Sequence, residues 1–371
     1  MSNPNLIFIS QSMLAGNGSM QVCLGHELSH YWFGLLLGAK DWTEEWLSEG
    51  FATFVEYIIE AEVRGWSDVE RNEHEQIIDY LRYRTLVTEL SHTKPELQTL
   101  CPNHDKEAEE DGKSTSLNFV KNGMNPYKMF TQVHYLKGYF LLRWLTKVIG
   151  YIGMRQLLRE YIVKGHGRMV TSREFLNMTY GHFPKLQQYY SIEDLCHHWL
   201  GCPGLPSEIN ECTPSETNSL YQSVLSDLCH WEKSDRSLKC RKNSAKRRKS
   251  TFDGSMLNSK QLLLLLERLL EKRTLHRITL ACINEHYHLA TANAEVQHRW
   301  FELVVKHKYV PAYEGLAQYL VDHQAMGVYL YGEMIIARCA RLRSMAEKTF
   351  IELSSTMEPT TKNIVQKMLY G

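Results

Sequence analysis

The chain of 371 residues has no net charge: 42 Lys plus Arg stand against 42 Asp plus Glu. No global field therefore draws nucleic acid or membrane to the whole molecule, and any such attraction must be local. It also lacks a hydrophobic run of the roughly 20 residues a membrane helix needs, since Tyr31–Ala39 and Leu262–Leu266 are far shorter. Proline is scarce, with 10 Pro and 22 Gly in a chain that is 43% hydrophobic, which excludes a mainly disordered or collagen-like polymer. Nine cysteines, an odd set without repeated spacing, point to reduced thiols in the cytosol or nucleus rather than to a disulfide framework. No basic residue precedes the short apolar run in Met1–Ser10, so a secretory signal is not expected. These absences leave a soluble intracellular protein, with room for two to three domains at roughly 150 residues each.

What is present is chiefly helical periodicity, in three blocks. Residues 1–206 form the first block; from Gly25 to about Pro206 apolar residues recur at three- and four-residue steps, and the expected helices are Thr43–Glu62, Ser67–Leu90, Thr131–Ile149, Met154–Lys164, Ser172–Thr179 and Ile192–Leu200. The one convincing strand is Leu6–Ile9, and the polar stretch His92–Asn125 reads as a long loop. Residues 207–258 are rich in Ser, Asn, Thr, Lys and Arg and behave as a linker or insertion. Residues 259–371 are helical again, near Lys260–Glu271, Ile278–Tyr287, Glu295–Val305, Tyr313–Asp322 and Ala340–Ser354. Short helices joined by short turns suggest stacked pairs, as in an α-solenoid. The expected fold class is mainly α, with one residual strand.

The pentad His26-Glu27-Leu28-Ser29-His30 has the H-E-x-x-H form. On a helix, residues four apart share a face, so both imidazoles can reach one Zn²⁺ while Glu27 stands beside them to accept a proton from water. A catalytic zinc needs a third protein ligand and one open position. Glu49 supplies that ligand after eighteen intervening residues, on the next helix. The competing reading is an amphipathic helix whose histidines are merely exposed. Cys196, His197, His198 and Cys202 match no standard zinc set and read as a packed helix end.

The run His26–Gly34 with Trp46-Leu47-Ser48-Glu49-Gly50-Phe51-Ala52 resembles the signature of the gluzincin aminopeptidases, the group of aminopeptidase N, aminopeptidase B and leukotriene-A hydrolase. Tyr135-Leu136-Lys137-Gly138 is similar to their Tyr-x-Lys-Gly segment, and Trp199–Pro206 to the W-L-x-x-P-G-L-P junction that closes the catalytic domain. The resemblance implies a thermolysin-like zinc catalytic domain with a helical C-terminal domain. It implies one Zn²⁺ per chain, release of N-terminal residues from peptide substrates, arginine among them, and a transition-state hydrogen bond from Tyr135. A thermolysin-like endopeptidase fits the spacing and Tyr135 less well.

Two departures from the family stand out. Met1-Ser2-Asn3-Pro4 lies where M-E-N-P is expected, so Ser2 replaces the glutamate that holds the substrate α-amine. The β domain and most of the sheet that precede this point in the family have no counterpart, which suggests an N-terminally shortened, weak enzyme with exposed apolar surface. Gly327–Leu330 is apolar where leukotriene-A hydrolase carries a carboxylate-binding Arg and Lys, arguing against that substrate set.

Lys239–Lys249 packs seven cations into eleven residues. The run reads either as a solvated linker or as a nuclear or nucleolar address, carried by Lys246, Arg247, Arg248 and Lys249 and read by an import receptor. One branch of the family adds weight to the address. No aromatic interleaving supports sequence-specific nucleic-acid binding. The expected location is cytoplasmic and nuclear. A second reading of the whole chain is a catalytically silent nuclear interaction module.

Overall fold

The computed structural model describes residues 2–3, 5–14, 19–102, 132–209, 212–240 and 256–371. The expected targeting residues Lys246, Arg247, Arg248 and Lys249 lie outside this set, as does most of the long loop. The chain divides into two units, residues 1–9 with 21–213, and residues 10–20 with 214–371.

In the first unit the helices are α1 (Gln21–Ser29), α2 (Trp46–Arg64), α3 (Asp68–His92), α4 (Val133–Ile149), α5 (Tyr151–Gly165), α6 (Ser172–His182) and α7 (Ile192–Leu195). Their ends follow local chemistry. Ser67 with Glu70 and Thr171 with Glu174 form reciprocal capping boxes that satisfy the first N–H groups of α3 and α6. Gly65 ends α2 at φ 64°, a left-handed conformation that favours glycine. Phe51 stacks on Phe33 with ring centroids 4.9 Å apart and meets Phe175 edge-on at 5.0 Å. Trp46 is fully buried, and its indole N–H donates to Ser172 Oγ at 2.7 Å. These contacts fix the start of α2, which carries Glu49.

α2 and α4 cross where two glycines meet. A Cβ on Gly50 would lie 3.0 Å from Gly138 Cα, and one on Gly138 would lie 3.0 Å from Gly50 Cα. Only hydrogen fits on both sides, and Tyr135 sits almost one turn before the crossing. Gly138→Ala should force the helices apart and destabilise this unit by about 1–3 kcal/mol. A urea midpoint equal to wild type would show that the crossing yields freely.

Strands are few. β1 (Ser2–Asn3) pairs antiparallel with β2 (Leu6–Ile7), shorter than the expected Leu6–Ile9. β3 (Leu37–Ala39) pairs in parallel with β4 (Arg168–Val170) and was not expected, because three residues are too few to display an alternating pattern. Leu6, Phe8, Leu24, Leu28, Trp32 and Leu35 are exposed to between about a third and a half of their surface.

The second unit holds α8 (Ser219–Cys240), α9 (Ser259–Leu270), α10 (Arg277–Tyr287), α11 (Ala294–Lys306), α12 (Tyr313–Asp322), α13 (Gln324–Ile336), α14 (Ala340–Leu353) and α15 (Pro359–Tyr370). α9, α11, α13 and α15 pack each on the next, and α12 packs on α14, a stack of helix pairs. The fold is mainly α, as expected. Within the polar stretch read as a linker, however, α8 is a 22-residue helix packed on α9 and α10. Its buried face carries Tyr221, Val224 and Trp231 but also Asp227 and Asp235. The two aspartates are satisfied by the Tyr287 hydroxyl at 2.7 Å and by the His276 N–H and Thr279 hydroxyl at 2.6 and 2.9 Å. Two carboxylates on a buried face hide its amphipathicity. Among the described residues no helix is long and apolar enough to cross a membrane.

Candidate metal centre and peptidase site

α1 packs against α2, and Gly25 sets the spacing, since a Cβ there would lie 3.3 Å from Glu56 O. His26 and His30 stand one turn apart on α1, their ring centroids 4.8 Å apart. Glu49, in the first turn of α2, points between them. Its Oε2 lies 3.3 Å from His26 Nε2 and 3.3 Å from His30 Nε2. The three groups form the one set of His, Cys, Asp or Glu among the described residues arranged to hold a metal ion. Ligand bonds of about 2.0–2.1 Å in a tetrahedral zinc site space the donor atoms about 3.3 Å apart; Glu49 meets that spacing to each imidazole, and all three donor atoms lie within 4.8 Å of one another. The expected trio is brought together.

The far nitrogens of both imidazoles are occupied. His30 Nδ1 donates to Phe33 O at 2.9 Å, and His26 Nδ1 donates to Glu56 Oε2 at 2.8 Å. A carbonyl or ionised carboxylate only accepts, so Nδ1 carries a proton in each ring and Nε2 faces the metal position. Burial pulls the His26 pKa down, but Glu49 and Glu56 outweigh it and hold the imidazole up at about 9. Burial would raise Glu49, yet its hydrogen bonds to His26 and His30 hold its carboxyl well below the usual range. The Glu49 carboxylate, within 3.3 Å of both imidazoles, brings a negative charge to the position a divalent cation would take.

Glu27 and Tyr135 line the same cleft, of about 890 Å³, with the three donors. Tyr135, near the start of α4, stacks 6.0 Å from the His26 ring, centroid to centroid. Burial pushes its phenol up, and the Glu49, Glu45 and Glu27 carboxylates add to the effect. The group stays protonated and remains a hydrogen-bond donor. Lys137, two residues on, is fully buried and donates to Cys202 O at 2.7 Å and Gln98 O at 3.3 Å, tying α4 to the end of the π turn Cys196–Gly201. His197 Nε2 lies 3.5 Å from Cys202 Sγ within that packed end, and the eight described cysteine side chains are free thiols. The side chain of Ser2 is outside the description.

Sequence reading missed Glu56. It follows Glu49 by seven residues, two helical turns along the same face of α2, and that spacing is the signal that could have found it.

Residues 1–199 match the model of the peptidase family M1 domain, and residues 257–369 that of the leukotriene A4 hydrolase C-terminal region. Aminopeptidase O of Rattus norvegicus is 40% identical over 380 residues, and that of Homo sapiens 38% over 375; each alignment takes in 100% of this chain and 45% of the relative. Aminopeptidase B of Mus musculus is 24% identical over 382 residues, covering 53% of its length. The chain thus spans about half the length of the curated relatives it matches. The structure of yeast leukotriene A4 hydrolase in complex with bestatin superposes with a TM-score of 0.77 at 22% identity, covering 98% of this chain and 56% of that one, a likeness of fold. By its M1 domain match, its relatives and the order of its motifs, the chain belongs to peptidase family M1, in the gluzincin group of aminopeptidases.

Proposed function

We propose that this chain carries the centre of a zinc aminopeptidase that releases N-terminal residues, arginine among them, from peptides. One observation carries the reading: His26, His30 and Glu49 converge at metal-ligand spacing in a cleft that also presents Glu27 and Tyr135. Zinc, when bound, lowers the pKa of water to about 7 and polarises a carbonyl. Glu27 takes the proton of the attacking water and hands it to the leaving amine. Tyr135 donates its hydroxyl hydrogen to the oxygen that gains charge as the carbonyl carbon becomes tetrahedral. The cleft lining adds Asp41 and Glu45 to Glu27 and Glu49, against Lys40, so the balance stays slightly negative with the two charges of a bound zinc ion counted, and it favours a cationic N-terminal residue.

The test uses the purified chain with fluorogenic arginyl, leucyl and glutamyl amides, and an arginyl amide blocked at its α-amine. The expected result is weak, chelator-sensitive hydrolysis, fastest for the free arginyl amide and absent for the blocked one. Cleavage of the blocked substrate at a comparable rate would replace the aminopeptidase reading with an endopeptidase one.

A further inference from the structure

Behind His26 lies a buried charged array that the proposed chemistry does not use. Glu56, on α2, accepts from His26 Nδ1 through Oε2, at 2.8 Å, and from Arg82 of α3 through Oε1. The Arg82 guanidinium lies 4.1 Å from the centre of the Tyr139 ring of α4. The Tyr139 hydroxyl donates to Asp79 Oδ1 at 2.5 Å. Asp79 also accepts from Arg143 at 2.9 and 3.2 Å, and Arg143 pairs with Glu75 at 3.0 Å. Glu56 and Asp79 are each 7% exposed, and Tyr139 is 1% exposed. The line therefore runs from the metal pocket through the contact of α2, α3 and α4, away from the cleft.

We infer that Glu56, clamped by Arg82, is a positioning residue that fixes the ring of His26 and strengthens it as a metal ligand. Three features carry this. The clamp is bidentate in effect, one carboxylate oxygen for the arginine and one for the imidazole, so Glu56 cannot turn away without stranding a buried guanidinium. The pair also meets His26 through its carboxylate and not through its guanidinium, and the second guanidinium, Arg143, is held at the far end between Asp79 and Glu75. A carboxylate on the far nitrogen makes an imidazole a better donor to a metal. Finally, the two histidines are unequal. His30 is oriented by a neutral carbonyl three residues away, whereas the orientation of His26 comes from across the helix contact. Zinc affinity is thereby tied to the packing of α3 and α4 as well as to the three ligands.

This inference rests on the zinc reading above, and the experiment separates the two. Zinc affinity of the full chain is measured by competition with a fluorescent chelator, and the cobalt-substituted protein is followed by its visible d–d bands. Glu56→Gln keeps an acceptor but removes the charge, and should weaken zinc binding by about 10–100-fold and shift the cobalt bands. That variant leaves Arg82 buried alone and can fail to fold. Glu56→Gln/Arg82→Met removes both charges, and should keep its cooperative thermal transition yet show the same loss of affinity. Arg82→Met alone should give a smaller loss, because the carboxylate remains on His26 with one anchor fewer. Wild-type affinity and cobalt bands in the folded double variant would overturn the role of Glu56. A wild-type chain that is folded and binds no zinc would instead overturn the peptidase reading itself.

Discussion

Glu27→Gln is expected to keep its zinc and to lower kcat by at least about a hundredfold. Gln has nearly the same shape as Glu, so the packing of α1 on α2 and the spacing of His26, His30 and Glu49 should not change. What disappears is the proton acceptor. Water must then attack without a base beside it, and the leaving amine departs without a donor. Zinc content of the variant separates this account from a metal-site defect. Loss of both zinc and turnover would move Glu27 from chemistry to metal binding, and turnover within about threefold of wild type would show that another group is the base.

Tyr135→Phe should produce a comparable loss of kcat, on the order of a hundred- to a thousandfold, with KM nearly unchanged. The reason lies in timing. A phenol held protonated by burial and by Glu49, Glu45 and Glu27 has little to gain from a neutral ground-state carbonyl. It gains about 3 kcal/mol when that oxygen becomes anionic. Binding of the substrate is thus insensitive to the hydroxyl, while passage over the barrier is not. A Tyr135→Phe variant whose KM rises and whose kcat holds would assign Tyr135 to ground-state binding.

The site was legible because its chemistry is compact in sequence. His26, Glu27 and His30 share one turn of helix, and Glu49 follows at a fixed interval in the next. Tyr135 lies 86 residues beyond Glu49 and was reached through the Tyr-x-Lys-Gly resemblance. The reason it meets the cleft, the crossing of α2 and α4 at Gly50 and Gly138, is a property of two distant glycines that no local pattern displays. Glu56 was hidden for another reason. A carboxylate seven residues along an amphipathic helix reads as a solvated position until Arg82 and His26 are seen to bury it.

The same logic explains the fold. Long apolar periodicities gave α2 to α6 within a few residues of their ends, and α9 to α12 likewise. α8 escaped because two of its buried positions are aspartates paired across the helix contact. α13 is apolar on nearly every face from Ala325 to Ile336, so it shows no stripe to read. β3 and β4 are short enough that pairing, rather than composition, defines them.

Zinc content of the purified, folded chain is the measurement closest to the central claim. The account predicts close to one zinc per chain, retained in Glu27→Gln and lost in His30→Ala, because the open geometry needs all three donors. Stoichiometry well below half in folded wild type, or full zinc in His30→Ala, would contradict it.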